Sequence, residues 1–174
     1  MKQLATALSS ILILGVTPAL AAERAPNDAQ IASIVHAANL VDIDAGMYAE
    51  TQAKNPEVKK FAEEMVTDHS GVNRQAADLA KKLGVQPEMN PTADNLEKAG
   101  AKNLAHLKTL TGAAFDKAYI DHEVSYHQSV IDELDHTLIP SAKNAELKAL
   151  LVKVRPAFVA HLEMAKKIES ELKS

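Results

Sequence analysis

The segment PEVKKFAEEMVTDHSGVNRQAADLAKKLG, residues 56–84, carries a start signal, a periodic body and a stop signal for a single helix. Pro56 suits a first helical position, Lys81 and Lys82 suit a last turn, and Gly84 suits the residue just beyond it. Between them Met65, His69, Val72, Ala76, Leu79 and Leu83 recur at spacings of three and four, the stripe of a helix that buries one face. An imidazole stands in the middle of that stripe, at His69, where a hydrocarbon would be the default.

Working outward, the same spacing recurs along most of the chain, and no sustained strict alternation argues for strands. A first helix is predicted from about Asp28 to Ala53, capped by Asn27 or Asp28 and ended by the Lys54-Asn55-Pro56 turn. After Gly84 the stretch Val85 to Ala93, with Pro87, Asn90 and Pro91, reads as a loop. A short helix from about Ala93 to Leu110 follows and reads as a connector crossing the end of a bundle. A third long helix is expected from Gly112 to Leu138, broken by Pro140, and a fourth from about Asn144 to Leu172. The fold class this implies is all-α: an up-down-up-down four-helix bundle with a short extra helix between helices two and three.

The third stripe runs Ile120, Val124, His127, Ile131, Leu134 and Leu138. The fourth runs Leu147, Leu151, Val154, Phe158, His161, Ala165, Ile168 and Leu172. Both again place histidine among hydrocarbons. The first helix offers two stripes, one of Ile31, Val35, Ala38, Asp42, Ala45 and Ala49, the other of Ile34, Ala38, Val41, Ala45 and Tyr48; only the first buries a carboxylate. Antiparallel neighbours are level when equally far from their shared turn. By that measure Asp42 and His69 lie level, whereas His127 and His161 differ by about six residues around a turn at Ser141, roughly 9 Å. Counted this way, His161 stands nearer the level of Tyr119 or His122.

Ahead of the helices, Met1 and Lys2 lead into an apolar run from Leu4 to Leu20 that ends Ala19-Leu20-Ala21-Ala22. It is read as a signal peptide spanning residues 1–22, followed by a single domain over 23–174. The expected location is therefore periplasmic or secreted, with no membrane association once the signal is removed. Cleavage takes Lys2 and no acid, so 19 basic and 23 acidic side chains become 18 and 23, a balance of −5. The chain has no cysteine, hence neither disulfides nor a thiolate ligand or nucleophile. Interspersed charges and 3% aromatics exclude a nucleic-acid surface, which needs a basic stripe or stacking platform.

Asn55-Pro56-Glu57-Val58-Lys59-Lys60-Phe61-Ala62, Met65-Val66-Thr67-Asp68-His69 with Asn73, Phe115 and Tyr119 before His127-Gln128, and Pro156 before His161-Leu162 together resemble the exported bacterial family named domain of unknown function 4142. The resemblance, spread from about Ala32 to Lys167, implies a ferritin-like helical fold and a periplasmic setting. It places His69, His127 and His161 at the family's histidine positions, with Asp42 where members commonly carry Glu. It implies no reaction.

A carboxylate-bridged di-metal bundle needs Glu-x-x-His on two helices, and the one such spacing here, Glu133 to His136, lies at a helix end. Three imidazoles and one carboxylate suit zinc or copper instead, so the candidate metal ligands are His69, His127, His161 and Asp42, with Asp68, Tyr119 and His122 supporting them. The competing reading is a hydrogen-bonded network that fixes helix register. Three functional classes stay open: a non-enzymatic exported bundle with a structural or metal-binding role in envelope or stress physiology, a metal-dependent enzyme, and an interaction module that docks an envelope protein or a second copy. Met65 and Met164 fit core packing, and no Gly-rich phosphate loop or Ser-His-Asp order supports hydrolytic or nucleotide chemistry.

Overall fold

A computed structural model describes residues 25–173, all of them helical or in short connections; the expected signal peptide lies outside the described residues. The helices are α1 (Asp28–Gln52), α2 (Pro56–Leu83), α3 (Pro91–Leu107), α4 (Gly112–Glu133), the one-turn α5 (Ile139–Ser141) and α6 (Ala145–Leu172), with a π turn, Leu134–Leu138, joining α4 to α5 without a break. Among the described residues no helix is long and apolar enough to cross a membrane.

Two helical hairpins make the bundle, α1 with α2 and α4 to α5 with α6, and both turn on the tripeptide Ala-Lys-Asn. Ala53 (φ −57°, ψ 137°) and Ala142 (φ −58°, ψ 120°) leave the helix in the same extended conformation. Asn55 and Asn144 then cap the next helix, each side chain accepting from the backbone N–H groups two and three residues on. Each turn is also clamped by an aspartate from the opposite hairpin. Asp116, buried at the start of α4, accepts from the N–H groups of Lys54 and Asn55 at 3.0 and 2.9 Å. Half-buried Asp28, at the start of α1, accepts from those of Lys143 and Asn144 at 2.8 and 2.9 Å. Asn retains one of the two acceptor oxygens, so Asp28→Asn is expected to cost about 1 kcal/mol, a fall of roughly 3 °C in melting temperature. An unchanged melt would show that this clamp contributes nothing.

The rod from Gly112 runs on through Pro140 to Ser141 rather than breaking at Leu138. Proline lacks an N–H and crowds the carbonyl four residues back. The π turn meets that demand by widening the backbone just ahead of it, with the Ile139 N–H bonding the Leu134 carbonyl. The clamp-to-turn distance along the chain is accordingly one residue longer from Asp116 to Asn144 than from Asp28 to Asn55. Centring the turn on Lys143 leaves His127 and His161 about two residues apart in level, roughly 3 Å. The expected 9 Å offset is corrected, and His161 stands beside His127 rather than at the level of Tyr119 or His122.

Both proposed stripes of α1 are buried, Asp42 included, apart from half-buried Tyr48 at the end of the second. The reason is α3, which lies along α1 instead of crossing the bundle end. Close approach demands small residues on both sides of α1. A Cβ on Gly100 of α3 would stand 2.7 Å from Val41 Cγ2, and one on Gly46 of α1 would stand 2.9 Å from Val66 Cγ2 of α2. The core has two parts. One holds Ile31, Ile34, Leu134, Leu147, Leu151 and Phe158; the other holds Phe61, Met65, Leu107, Phe115, Tyr119 and Ile168. The polar groups described next lie where the two meet.

Candidate metal centre

His69 from α2, His127 from α4 and His161 from α6 are 1%, 0% and 3% exposed, and their ring centroids stand 5.3 to 5.6 Å apart. The expected gathering of the three imidazoles is present. Phe158 packs against all three, 5.1 Å from His69, 6.0 Å from His127 and 6.3 Å from His161, and Phe61 stands 6.5 Å from His127, so the rings meet in an apolar enclosure.

Hydrogen bonds fix which nitrogen of each ring carries the proton. Asn39 on α1 donates through Nδ2 to the Val35 carbonyl at 2.7 Å, which turns its Oδ1 toward His69 Nδ1 at 2.7 Å. An amide oxygen only accepts, so His69 is protonated at Nδ1. His127 Nδ1 lies 3.0 Å from the backbone carbonyl of Glu123 and donates to it. His161 Nε2 lies 3.1 Å from Asp68 Oδ2 and donates to that carboxylate. The remaining nitrogens, His69 Nε2, His127 Nε2 and His161 Nδ1, have no hydrogen-bond partner. Each ring thus keeps one lone pair bare, while one nitrogen from each lies within 4.8 Å of the others. Buried polar atoms are almost always satisfied, so three bare lone pairs in one enclosure call for a proton donor or a cation.

Burial, and after it the neighbouring His127 and His161, pulls the His69 pKa down to about 3, and burial lowers that of His161 against the pull of Asp68. Both rings are neutral at pH 7, the state in which imidazole binds metal. A groove between α2 and α6 reaches the cluster from solvent, lined by Thr67, Asp68, Gly71, Lys153 and Ala157, with His69 and His161 at its inner side. Exposed Asp68 and half-buried Glu64 form a carboxylate pair with His161 at that opening.

Asp42 is fully buried but is not part of the three-imidazole group. Its Oδ2 lies 3.4 Å from His69 Nδ1, the protonated side of that ring, and it groups instead with Glu123 and His127. Asp68 is the hydrogen-bond partner of His161. Tyr119 is fully buried, its hydroxyl without a partner. His122 stacks on Tyr126 at 5.4 Å and brings Nδ1 to 3.8 Å from Glu123 Oε1. His36, His106 and His136 are exposed, and Met65 packs in the core.

Two residues the periodicity passes over, Asn39 and Glu123, complete the arrangement. Asn39 sits three residues before Asp42 and therefore on its face of α1. Glu123 sits four before His127, a Glu-x-x-x-His spacing that stacks the two on one face of α4 just as Glu-x-x-His does. Burial opposes ionisation of Glu123, but the imidazoles of His122 and His127 beside it prevail and hold its pKa at about 2. Burial, and then the charge of Glu123, pushes that of Asp42 well up.

A family model described as "Domain of unknown function (DUF4142)" matches residues 15–168, and the chain belongs to that family. No curated protein and no solved structure matches it.

Proposed function

We propose that this DUF4142 protein is an exported, ferritin-like four-helix bundle whose His69, His127 and His161 bind a single zinc or copper ion, with a metal-binding rather than catalytic role in envelope or stress physiology. The observation that carries the reading is a set of three rings in one enclosure, one nitrogen of each within 4.8 Å of the others, each ring with one nitrogen bare and the other tied to an acceptor. Such outer partners orient a histidine, fix its tautomer and raise its basicity toward a metal. Asn39, the Glu123 carbonyl and Asp68 are those partners. Zinc holds imidazole nitrogen at about 2.0–2.1 Å, so donors in a tetrahedral site stand roughly 3.4 Å apart. Small side-chain rotations close the present separations. A donor set of three nitrogens and no sulfur favours zinc or copper(II) over copper(I).

Calorimetric titration of the metal-stripped protein tests this. One site is expected, with affinity falling at least roughly 100-fold in His127→Ala and about 10- to 100-fold in Asp68→Ala, which removes only an outer partner. A flat titration of the wild type with both metals, or one unchanged in His127→Ala, would end the proposal. Metal-dependent catalysis is the second reading, and the groove between α2 and α6 favours it, because a three-ligand site open to solvent keeps a coordination position for water or substrate.

A further inference from the structure

Asp42 on α1 and Glu123 on α4 are both 0% exposed, and none of their four carboxylate oxygens has a hydrogen-bond partner. Their nearest polar neighbours are imidazoles: His69 Nδ1 at 3.4 Å from Asp42, and His127 Nδ1 at 3.4 Å and His122 Nδ1 at 3.8 Å from Glu123. Two of those rings have already committed their Nδ1 proton elsewhere, His69 to Asn39 and His127 to the Glu123 carbonyl. A third orphan points the same way. The Tyr119 hydroxyl, one helical turn before Glu123, is fully buried without a partner, and it feels the negative charge of both carboxylates.

Withdrawing a carboxylate from water costs several kcal/mol unless a cation or a set of donors replaces the lost solvent. A proton shared by the two carboxyls pairs at most two of these five oxygens. A metal ion satisfies them together, and a carboxylate oxygen of Asp42 and one of Glu123 lie within 4.8 Å of each other. We propose that Asp42 and Glu123, with the Tyr119 hydroxyl beside them, hold a second divalent cation next to the imidazole site.

Carboxylate and phenol oxygens with at most one imidazole form a hard donor set, suited to manganese(II)-like ions rather than to a second zinc or copper. Calcium demands six to eight oxygens, more than these residues bring. The bundle thereby holds two unlike cations on either side of His127. The inference rests on the imidazole reading only for that neighbour, since the carboxylates are orphaned regardless.

The test uses the full chain, stripped of metal, given one equivalent of Zn2+ and titrated with Mn2+ while the free-ion signal is followed by electron paramagnetic resonance. One Mn2+ bound per chain is expected in the wild type. In Asp42→Asn/Glu123→Gln, which preserves shape and removes buried charge, Mn2+ affinity should fall at least roughly 100-fold with Zn2+ still retained. His161→Ala should release Zn2+ and keep Mn2+. The proposal is overturned if wild-type protein leaves Mn2+ free at millimolar concentration, or if the double variant binds it as the wild type does. It is equally overturned if Mn2+ disappears with His161→Ala and persists in the double variant, for then manganese occupied the imidazoles. Loss of Zn2+ binding in every protein with Mn2+ still held by the carboxylates would end the imidazole reading and leave this one standing.

Discussion

Zinc at a thousand times its dissociation constant is expected to raise the melting temperature of the metal-stripped protein at pH 7.5 by about 13 °C. A ligand that binds only the folded state stabilises it by RT ln(1 + [L]/Kd), about 4.1 kcal/mol at that concentration. Roughly 150 folded residues lose about 0.3 kcal/mol of stability per degree near the midpoint, which sets the conversion. The unfolded chain lacks a preformed site, because the three ligands sit on α2, α4 and α6 and meet only when both hairpins have packed. Removing His161 should abolish the increment, and a His161→Ala protein that zinc still raises by 13 °C would place the binding elsewhere. The increment should also shrink toward pH 5, since protons compete for the bare nitrogens.

Acidification of the metal-stripped protein from pH 7.5 to 5 is the second large effect. The folded-state pKa of His69 is lowered to about 3 while the unfolded chain titrates at 6.5, so below 6.5 the unfolded state binds a proton that the folded state refuses. Stability from this group is complete above pH 6.5 and is lost as the pH falls toward 3. By pH 5 the loss is about 2 kcal/mol, or roughly 6 °C. His161, lowered by burial, acts in the same direction. Asp42 opposes them. Its folded-state pKa is raised, so its contribution is present below the unfolded value of 3.8 and is lost as pH rises through the folded value, which makes it destabilising at neutrality. Melts at the two pH values should therefore show the steepest acid loss in Asp42→Asn, a smaller loss in the wild type and the smallest in His69→Leu. Three parallel profiles would mean that these groups are hydrated in the folded protein.

The helices and their order are legible in the chain because stripes, asparagine caps and the Gly84 stop are local signals, and the observed ends fall within three residues of the expected ones apart from Pro140. The three histidines are legible for the same reason: each occupies a stripe position in its own helix. Glu123 and Asn39 are not, because neither lies on the counted stripe, and what buries them is a neighbouring helix rather than their own periodicity. The burial of both faces of α1 is hidden likewise, since α3 covers one of them through the bare backbone of Gly100, a contact between distant segments. Pro140 is a breaker by every local rule, and only the π turn ahead of it explains why the rod continues.

That turn bears on how firmly the cluster is held. Its long rod is pinned at one end by Asp116 holding the Lys54 turn and at the other by Asp28 holding the Lys143 turn, and each pin dictates the spin of the segment it grips. The stretch between the clamps is one residue longer here than in the other hairpin, and the widened coil houses that residue like a vernier. His127 lies between these anchors, so its helix can roll or slide only by breaking a clamp. On the metal reading proposed above, such a scaffold is set before any guest arrives, and selection would fall to ions that match its gauge.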